Sequence, residues 1–512
     1  VKIGASFFTR AFSQLQSPPA VKFLVEQYSM HILGGPSQAR IVATGRVDDL
    51  WDCINLLRCG VELHDERGDV VWWGYVDEVR VNMDAAEWGV SMQQMANSIA
   101  CAYTTQEGIL STAGQRRTTA YAQDALSIAE YGERQLIVTA NNVDVTGAAA
   151  IRDQALAAMS WPMPTSDLAE GTGNKAVILC RGWYETLGWK YYSNPLGVNG
   201  HIATPDVYQN IGDNVTEIET VWTLPAGSDT FDTIGLFLQK STYGFPVMNL
   251  SGRIHAGVNQ GAPLAATFTI TPADISATGN GEGGYIEKAL SAPITASTLP
   301  ICIALLNLSG NDLTNHYRLG CTGTWYPHAS TQFKDTGSWA TLPYDVVFKF
   351  TRQDNIITQI QAMLTSAGQF ITATDVEATS TIKTRPYRSG DATARAQIEE
   401  LLAMHSGSTP RLAIEITRDR RARIYAEPDA ANPIYVDRYM NPYDTAGAPI
   451  ERHFCPYGYW TSLKEVYPSG LANSIDASSG SAGFIESADY NVAQGRWVPR
   501  FRRNRNAFTG GQ

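Results

Sequence analysis

Apolar residues recur along this chain mostly with a period of two, in short runs that end at Gly, Pro, Asn or Asp. That spacing predicts strands joined by turns. The clearest stretch is VELHDERGDVVWWGYVDEVRV. Val61 to His64 reads as one strand, DERGD as a turn in which Gly68 can take a positive φ, and Val70 to Val81 as the returning strand. Alternation sends Val71, Trp73 and Tyr75 to one face, and Trp72, Gly74 and Val76 to the other. Both faces are apolar, so the strand is expected to be covered on both sides by another domain or another subunit. Trp72 and Trp73 are therefore candidate oligomer-interface residues.

Helical spacing is sparser. VDDLWDCINLL reads as one short helix. In AYAQDALSIAEYG, Ala122, Ala125, Leu126 and Ala129 fall on one helical stripe that Gly132 would stop. AAAIRDQALAAMS predicts a second helix that ends at Trp161-Pro162. KAVILCRGWYETLGWKYYSN then returns to strand. Later helices are expected over 355–368 and 392–407, stopped by Gly368 and Gly407, and Arg411 to Tyr425 reads as a hairpin around a charged turn.

Residues 205–345 differ from both flanks. From Val215 to Ala340 there are 14 charged residues in 126, and apolar strands alternate with Gly, Asn and Asp turns. That texture predicts a self-contained β-sandwich inserted into a loop of the surrounding body. The fold class expected is mainly β and multidomain: β-barrel or β-sandwich domains with a few helices, plus the inserted sandwich. The segments are 1–103 (β-rich), 104–204 (α+β, first part), 205–345 (insertion), 346–460 (α+β, second part) and 461–512 (C-terminal extension).

Composition narrows the function classes. Of 512 residues, 39 are Lys or Arg and 50 are Asp or Glu, a net charge of −11 that argues against nucleic-acid coating. The run GRWVPRFRRNRN is basic, yet with thin aromatic interleaving it reads as a solvated tail or an arm that docks on an acidic neighbour. No run of about 18 apolar residues is present, so no membrane-spanning helix is expected. The opening VKIGASFFTRAF shows no signal-peptide pattern. Seven scattered cysteines without CxxC spacing read as reduced, buried thiols; Cys302 and Cys321, which share one β-rich segment, are the pair considered for a disulfide.

Candidate chemistry is limited. The chain has no HExxH, GxSxG, GxxxxGK[ST] or strand-linked GxGxxG motif, and its eight histidines show no paired spacing. No cofactor, no metal site and no catalytic residue is expected. Carboxylates such as Asp229, Asp312, Asp335 or Asp345 would have to pair in space for glycoside hydrolysis. The insertion is rich in aromatics: Trp222, Tyr243, Phe245, Tyr285, Tyr317, Trp325, Tyr326 and Trp339. Most are expected in the sandwich core. Tyr243, Phe245, Trp325 and Tyr326 sit in turns and are the candidates for stacking on a sugar ring.

Three segments together resemble the tail-tip hub (baseplate hub) proteins of long-tailed bacteriophages. They are GVELHDERGDVVWWGYVDEVRV; SIAEYGERQLIV with the helix AAAIRDQALAAMS behind it; and CRGWYETLGWKYY, followed beyond the insertion by the block 355–427 and PYGYW. The resemblance implies a virion structural protein at the tail tip, a ring-forming homo-oligomer and usually a trimer. Its implied partners are the distal tail and tail tube proteins and a tape measure or central fibre protein. The inserted segment is similar to jelly-roll modules of some tail proteins that are taken to bind carbohydrate, here host surface glycan. No catalytic residue carries over, and neither a membrane anchor nor direct nucleic-acid binding is implied. The alternatives from other classes are a glycan depolymerase and a free carbohydrate-binding protein.

Overall fold

The computed structural model is mainly β, built from several antiparallel sheets. It describes residues 3–16, 19–83, 86–104, 116–168, 173–194, 196–202, 205–212, 215–223, 230–241, 244, 246–276, 284–295, 300–306, 315–323, 329–335, 338–404, 411–426, 435–436, 442–443, 459–460 and 483–501. The chain divides into two compact units. One comprises Val1–Tyr192, Ile356–Ile382 and Gly390–Gln512; the other comprises Ser193–Asn355 and Lys383–Ser389. The boundaries of packing therefore differ from those drawn on composition, and the second unit is wider than 205–345.

The first unit is organised around a long sheet that runs Gly4–Phe8, Gly60–His64, Val70–Met83, Lys175–Arg181, Gly35–Thr44, Lys22–His31 and Gly483–Asn491. Among the described residues this sheet stays open, and no closed barrel is formed. The expected hairpin is present, with Gly68 at φ +88° in its turn. Strand Val70–Met83 holds the centre, and a register shift explains its two-sided pattern. Against Lys175–Arg181, Val76 pairs with Cys180 and Glu78 with Leu179, so Asp77 is an extra residue. The bulge moves the alternation by one, and Val79 and Val81 join Trp72 and Val76 in one core.

Trp73 and Tyr75 face a second core. It contains Trp183, Leu187, Ile360, Leu364, Ile398, Leu401 and Ile424. Trp72 donates its indole N–H to Ser29 O at 3.2 Å and Trp73 to Ile416 O at 2.8 Å. Both faces are thus covered by elements of the same unit. Trp72 is 0% and Trp73 8% exposed, so neither presents a surface to a neighbouring copy, and their pattern no longer argues for an oligomer interface.

Several helices differ from expectation. Val47–Trp51 continues as a 3₁₀ turn at Asp52–Leu56. Ala122 lies in a strand, and the helix is Ala125–Tyr131, capped by Asp124 and followed by Gly132 at φ +88°. Its buried residue is Ser127, which accepts from Asn97 Nδ2 at 3.1 Å and donates to Ser160 O, while Leu126 is 76% exposed, so a hydrogen-bonded face packs inward in place of the apolar stripe. Val145–Met159, Ile356–Ala367 and the hairpin Leu412–Ile416/Arg421–Ala426 lie close to their expected positions. Ala394–Ala403 ends before Gly407, which lies outside the described residues. Trp183–Trp189, expected as strand, is a 3₁₀ helix. Part of the basic C-terminal run is not a tail. Arg496–Phe501 pairs with Gly483–Asn491, where Arg500 meets Asp489 at 2.8 Å.

The second unit is a sandwich of a seven-stranded and a six-stranded sheet. Its core takes Ile218, Trp222, Leu236, Leu238, Ile303, Leu305, Tyr317, Phe348 and Phe350, so Trp222 and Tyr317 pack inside as expected. Cys302 and Cys321 belong to different sheets and both are free thiols, so they do not pair. The six described cysteines are all free and buried.

Candidate functional site

The outer face of the seven-stranded sheet gathers the most chemistry in the second unit. On strand Thr230–Lys240, Leu236 and Leu238 turn into the core, so Gly235, Phe237 and Gln239 must turn outward. Phe237 pairs in register with Tyr285 on one side. On the other side the row continues over Gly320, which pairs with Tyr208. The Phe237 ring lies 5.5 Å from Tyr285, edge to face, and 6.4 Å from Tyr208. Gly320 makes the row possible, because a Cβ there would sit 3.0 Å from Phe237 and 2.6 Å from Pro205. All three rings are half-buried, edged by the polar groups of the same face.

Charged groups flank the row. The Arg318 guanidinium lies 4.9 Å from the Tyr208 ring centre and donates to Gln239 Oε1 at 3.2 Å. Lys349 Nζ sits 4.3 Å from the Tyr285 ring centre and 2.8 Å from Glu287 Oε1, and Arg385 also binds Glu287. Burial lowers the Lys349 ammonium below its ordinary value. Beside Glu287 opens a groove of about 370 Å³ lined by Asp232, Thr233, Glu287, Ala289, Leu290, Gln353 and Lys383. Donors, acceptors and apolar walls alternate in it, the mixture that holds a hydroxylated ligand.

The six-stranded sheet carries a second polar patch. Glu217 and Glu219 lie two apart on Val215–Thr223 and so share a face. Glu217 takes Lys334 at 3.1 Å and Gln260 at 3.1 Å. Burial raises the Glu219 carboxyl, hydrogen bonding from Gln260 offsets part of that, and the charge of Glu217 raises it further. Cys302 pairs in register with His255, whose Nδ1 donates to Ala262 O at 2.9 Å. A Cys–His pair beside a carboxylate resembles a nucleophile, but burial pushes the Cys302 thiol up to about 12, the opposite of what a reactive thiolate needs. Among the described residues no three His, Cys, Asp or Glu side chains are placed to hold a metal.

In the first unit, a cleft of about 460 Å³ is lined by Asp77, Arg134, Arg181, Glu185, Trp189 and Arg395 among others. Its cations are largely engaged within the unit. Arg395 binds Glu185 and Glu399, Arg181 stands 3.7 Å from Asp77, and Arg134 stacks on Trp189 at 4.5 Å.

The turn aromatics Tyr243, Phe245, Trp325 and Tyr326 all lie outside the described residues, as do Asp229 and Asp312. Asp335 ends a strand of the six-stranded sheet, whereas buried Asp345 belongs to the seven-stranded one, so these two do not share a sheet face. Trp339 is 41% exposed, on the edge strand of the six-stranded sheet. Tyr208 and Phe237 were not singled out by the sequence. The signal was present in TIGLFLQK, where an aromatic alternates with core leucines. No protein-family model matches this chain, and no curated protein matches it.

Proposed function

We propose that this chain is a structural protein of a bacteriophage tail tip: a hub whose first unit joins tail parts and whose inserted sandwich holds host glycan without cleaving it. The place of the splice supports this reading most directly. The first unit is left at Tyr192, the last residue of the hub-like CRGWYETLGWKYY, and is re-entered at Ile356, where the hub-like helix block begins. Apart from Asn355 and Lys383–Ser389, which pack with the sandwich, the segments that resemble hub proteins fall in one packing unit, and the sandwich interrupts it. The aromatic row and groove on the sandwich support the glycan part of the reading. On this reading the chain assembles as a homo-oligomer, a trimer, alongside distal tail and tail tube proteins and a tape measure or central fibre protein. Light scattering on the purified protein and immunogold labelling of particles test it. A monomer at high concentration, together with label absent from tail tips, would overturn it.

One observation favours the depolymerase alternative: Glu217 and Glu219 share a sheet face, and burial raises the Glu219 carboxyl, as a general acid requires. Reducing ends released from host polysaccharide, and abolished in Glu219→Gln, would establish it in place of pure binding.

A further inference from the structure

Resting on the glycan-holding reading of the sandwich, we infer that its ligand is an extended acidic polysaccharide, bound along the outer face of the seven-stranded sheet from Tyr208 to Lys383. Length comes first. Gln239, opposite Arg318, and Asp232, in the groove, lie seven residues apart on one strand, roughly 23 Å at about 3.3 Å per residue. A face of that length suits a chain of sugars better than one ring.

Shape comes second. Tyr208, Phe237 and Tyr285 form a straight cross-strand row, and their half-buried rings offer apolar faces to sugar C–H groups. Asp232, Thr233, Glu287 and Gln353 follow in the groove and supply acceptors and donors for hydroxyls.

Charge decides the ligand class. The second unit holds 10 Lys and Arg against 13 Asp and Glu, a net −3. Four of those ten cations, Arg318, Lys349, Lys383 and Arg385, stand on this face, against three described carboxylates: Asp232 and Glu287 in the groove and the exposed Asp206, two residues before Tyr208. A locally positive strip on an acidic module complements carboxylates spaced along a polymer. Aromatics and cations also suit single-stranded nucleic acid. The two groove carboxylates repel any polyanion, but they accept from the free hydroxyls that every residue of a polyuronate carries and DNA lacks, so the polysaccharide is favoured.

The test is affinity electrophoresis of the whole protein in gels that contain polygalacturonate, dextran or oligothymidylate. Polygalacturonate should retard the protein, and raised salt should abolish the retardation. Phe237→Ala should weaken it roughly fivefold to tenfold, the loss of one stacked ring. The exposed Lys383→Glu, which leaves packing untouched, should weaken it with an unchanged melting temperature. Equal, salt-insensitive retardation by dextran would overturn the acidic preference and leave the glycan reading standing. No retardation by either polysaccharide would overturn both. Tighter binding of oligothymidylate would overturn the inference in favour of nucleic acid.

Discussion

Arg58 is 2% exposed, takes φ +66°, and stands among four aromatic rings. Its guanidinium lies 4.0 Å from the Phe370 ring centre, 5.0 Å from Phe12, 5.3 Å from Trp183 and 5.7 Å from Tyr75, while Nε donates to Tyr131 O at 3.1 Å. Burial pushes its pKa down to about 9, which leaves it charged at neutral pH. Ring faces and one carbonyl replace the water this cation has lost. Arg58→Ala should therefore destabilise the first unit by roughly 3–5 kcal/mol through a cavity and a stranded carbonyl. Arg58→Lys should recover only part of that, since an ammonium cannot stack as a plane. Urea unfolding checks both. Glu219 has the opposite sign. Its folded carboxyl is raised above the ordinary 4.5, so the folded state holds its proton more tightly than the unfolded chain. Stability from this site is full below about pH 4.5 and is lost as pH rises through the raised value. Glu219→Gln should raise the melting temperature at pH 7, and the gain should shrink as pH falls toward 4.5. Thermal melts across that range read it.

Two glycines show how strand and turn make different demands. A Cβ at Gly182 would stand 1.7 Å from Pro36 O, where Gly182 N donates to Ser37 O at 2.8 Å and closes the join between Lys175–Arg181 and Gly35–Thr44. Gly182→Ala should cost more than about 2 kcal/mol, because backbone must move. Gly68 meets nothing within 4 Å but holds φ +88°, so Gly68→Ala should cost only about 1 kcal/mol. Chemical denaturation of the two variants separates close approach from backbone strain. The same contrast marks what could be read in advance. The DERGD turn and the Gly368 stop are local and were legible, as was the hairpin around Arg420. The close approach at Gly182 and the row over Gly320 depend on which strand lies alongside, which no local pattern encodes. Trp72 and Trp73 were legible as buried on two faces, but a sequence cannot say whether the cover is its own or a neighbour's. The strand Arg496–Phe501 was hidden by its arginines, which on an edge strand can point to water while the backbone pairs.

At the scale of the whole chain, the two units have separate cores. Tyr192 and Ile356 pack in the same core of the first unit, so a short linker should join them at small entropic cost. Replacing both 193–355 and 383–389 by Gly/Ser linkers should leave the first unit with its own cooperative transition, while the full chain shows one more. Differential scanning calorimetry tests this. Aggregation of the shortened chain would show that the sandwich is needed for the rest to fold.

The pairing of Lys22–His31 with Gly483–Asn491 also sets a timetable. Gln27 lies opposite Asn491, and the Tyr28 and Tyr490 rings stand 5.1 Å apart. The partner of this strand is synthesised roughly 450 residues after it. At about 5–20 residues per second, the strand waits roughly 20–90 s with one edge unpaired. During that interval every nascent chain on a polysome displays the same open edge, and neighbouring chains are the nearest strands available to it. Slow or crowded synthesis should therefore reduce the yield of this protein before any defect in its finished fold does.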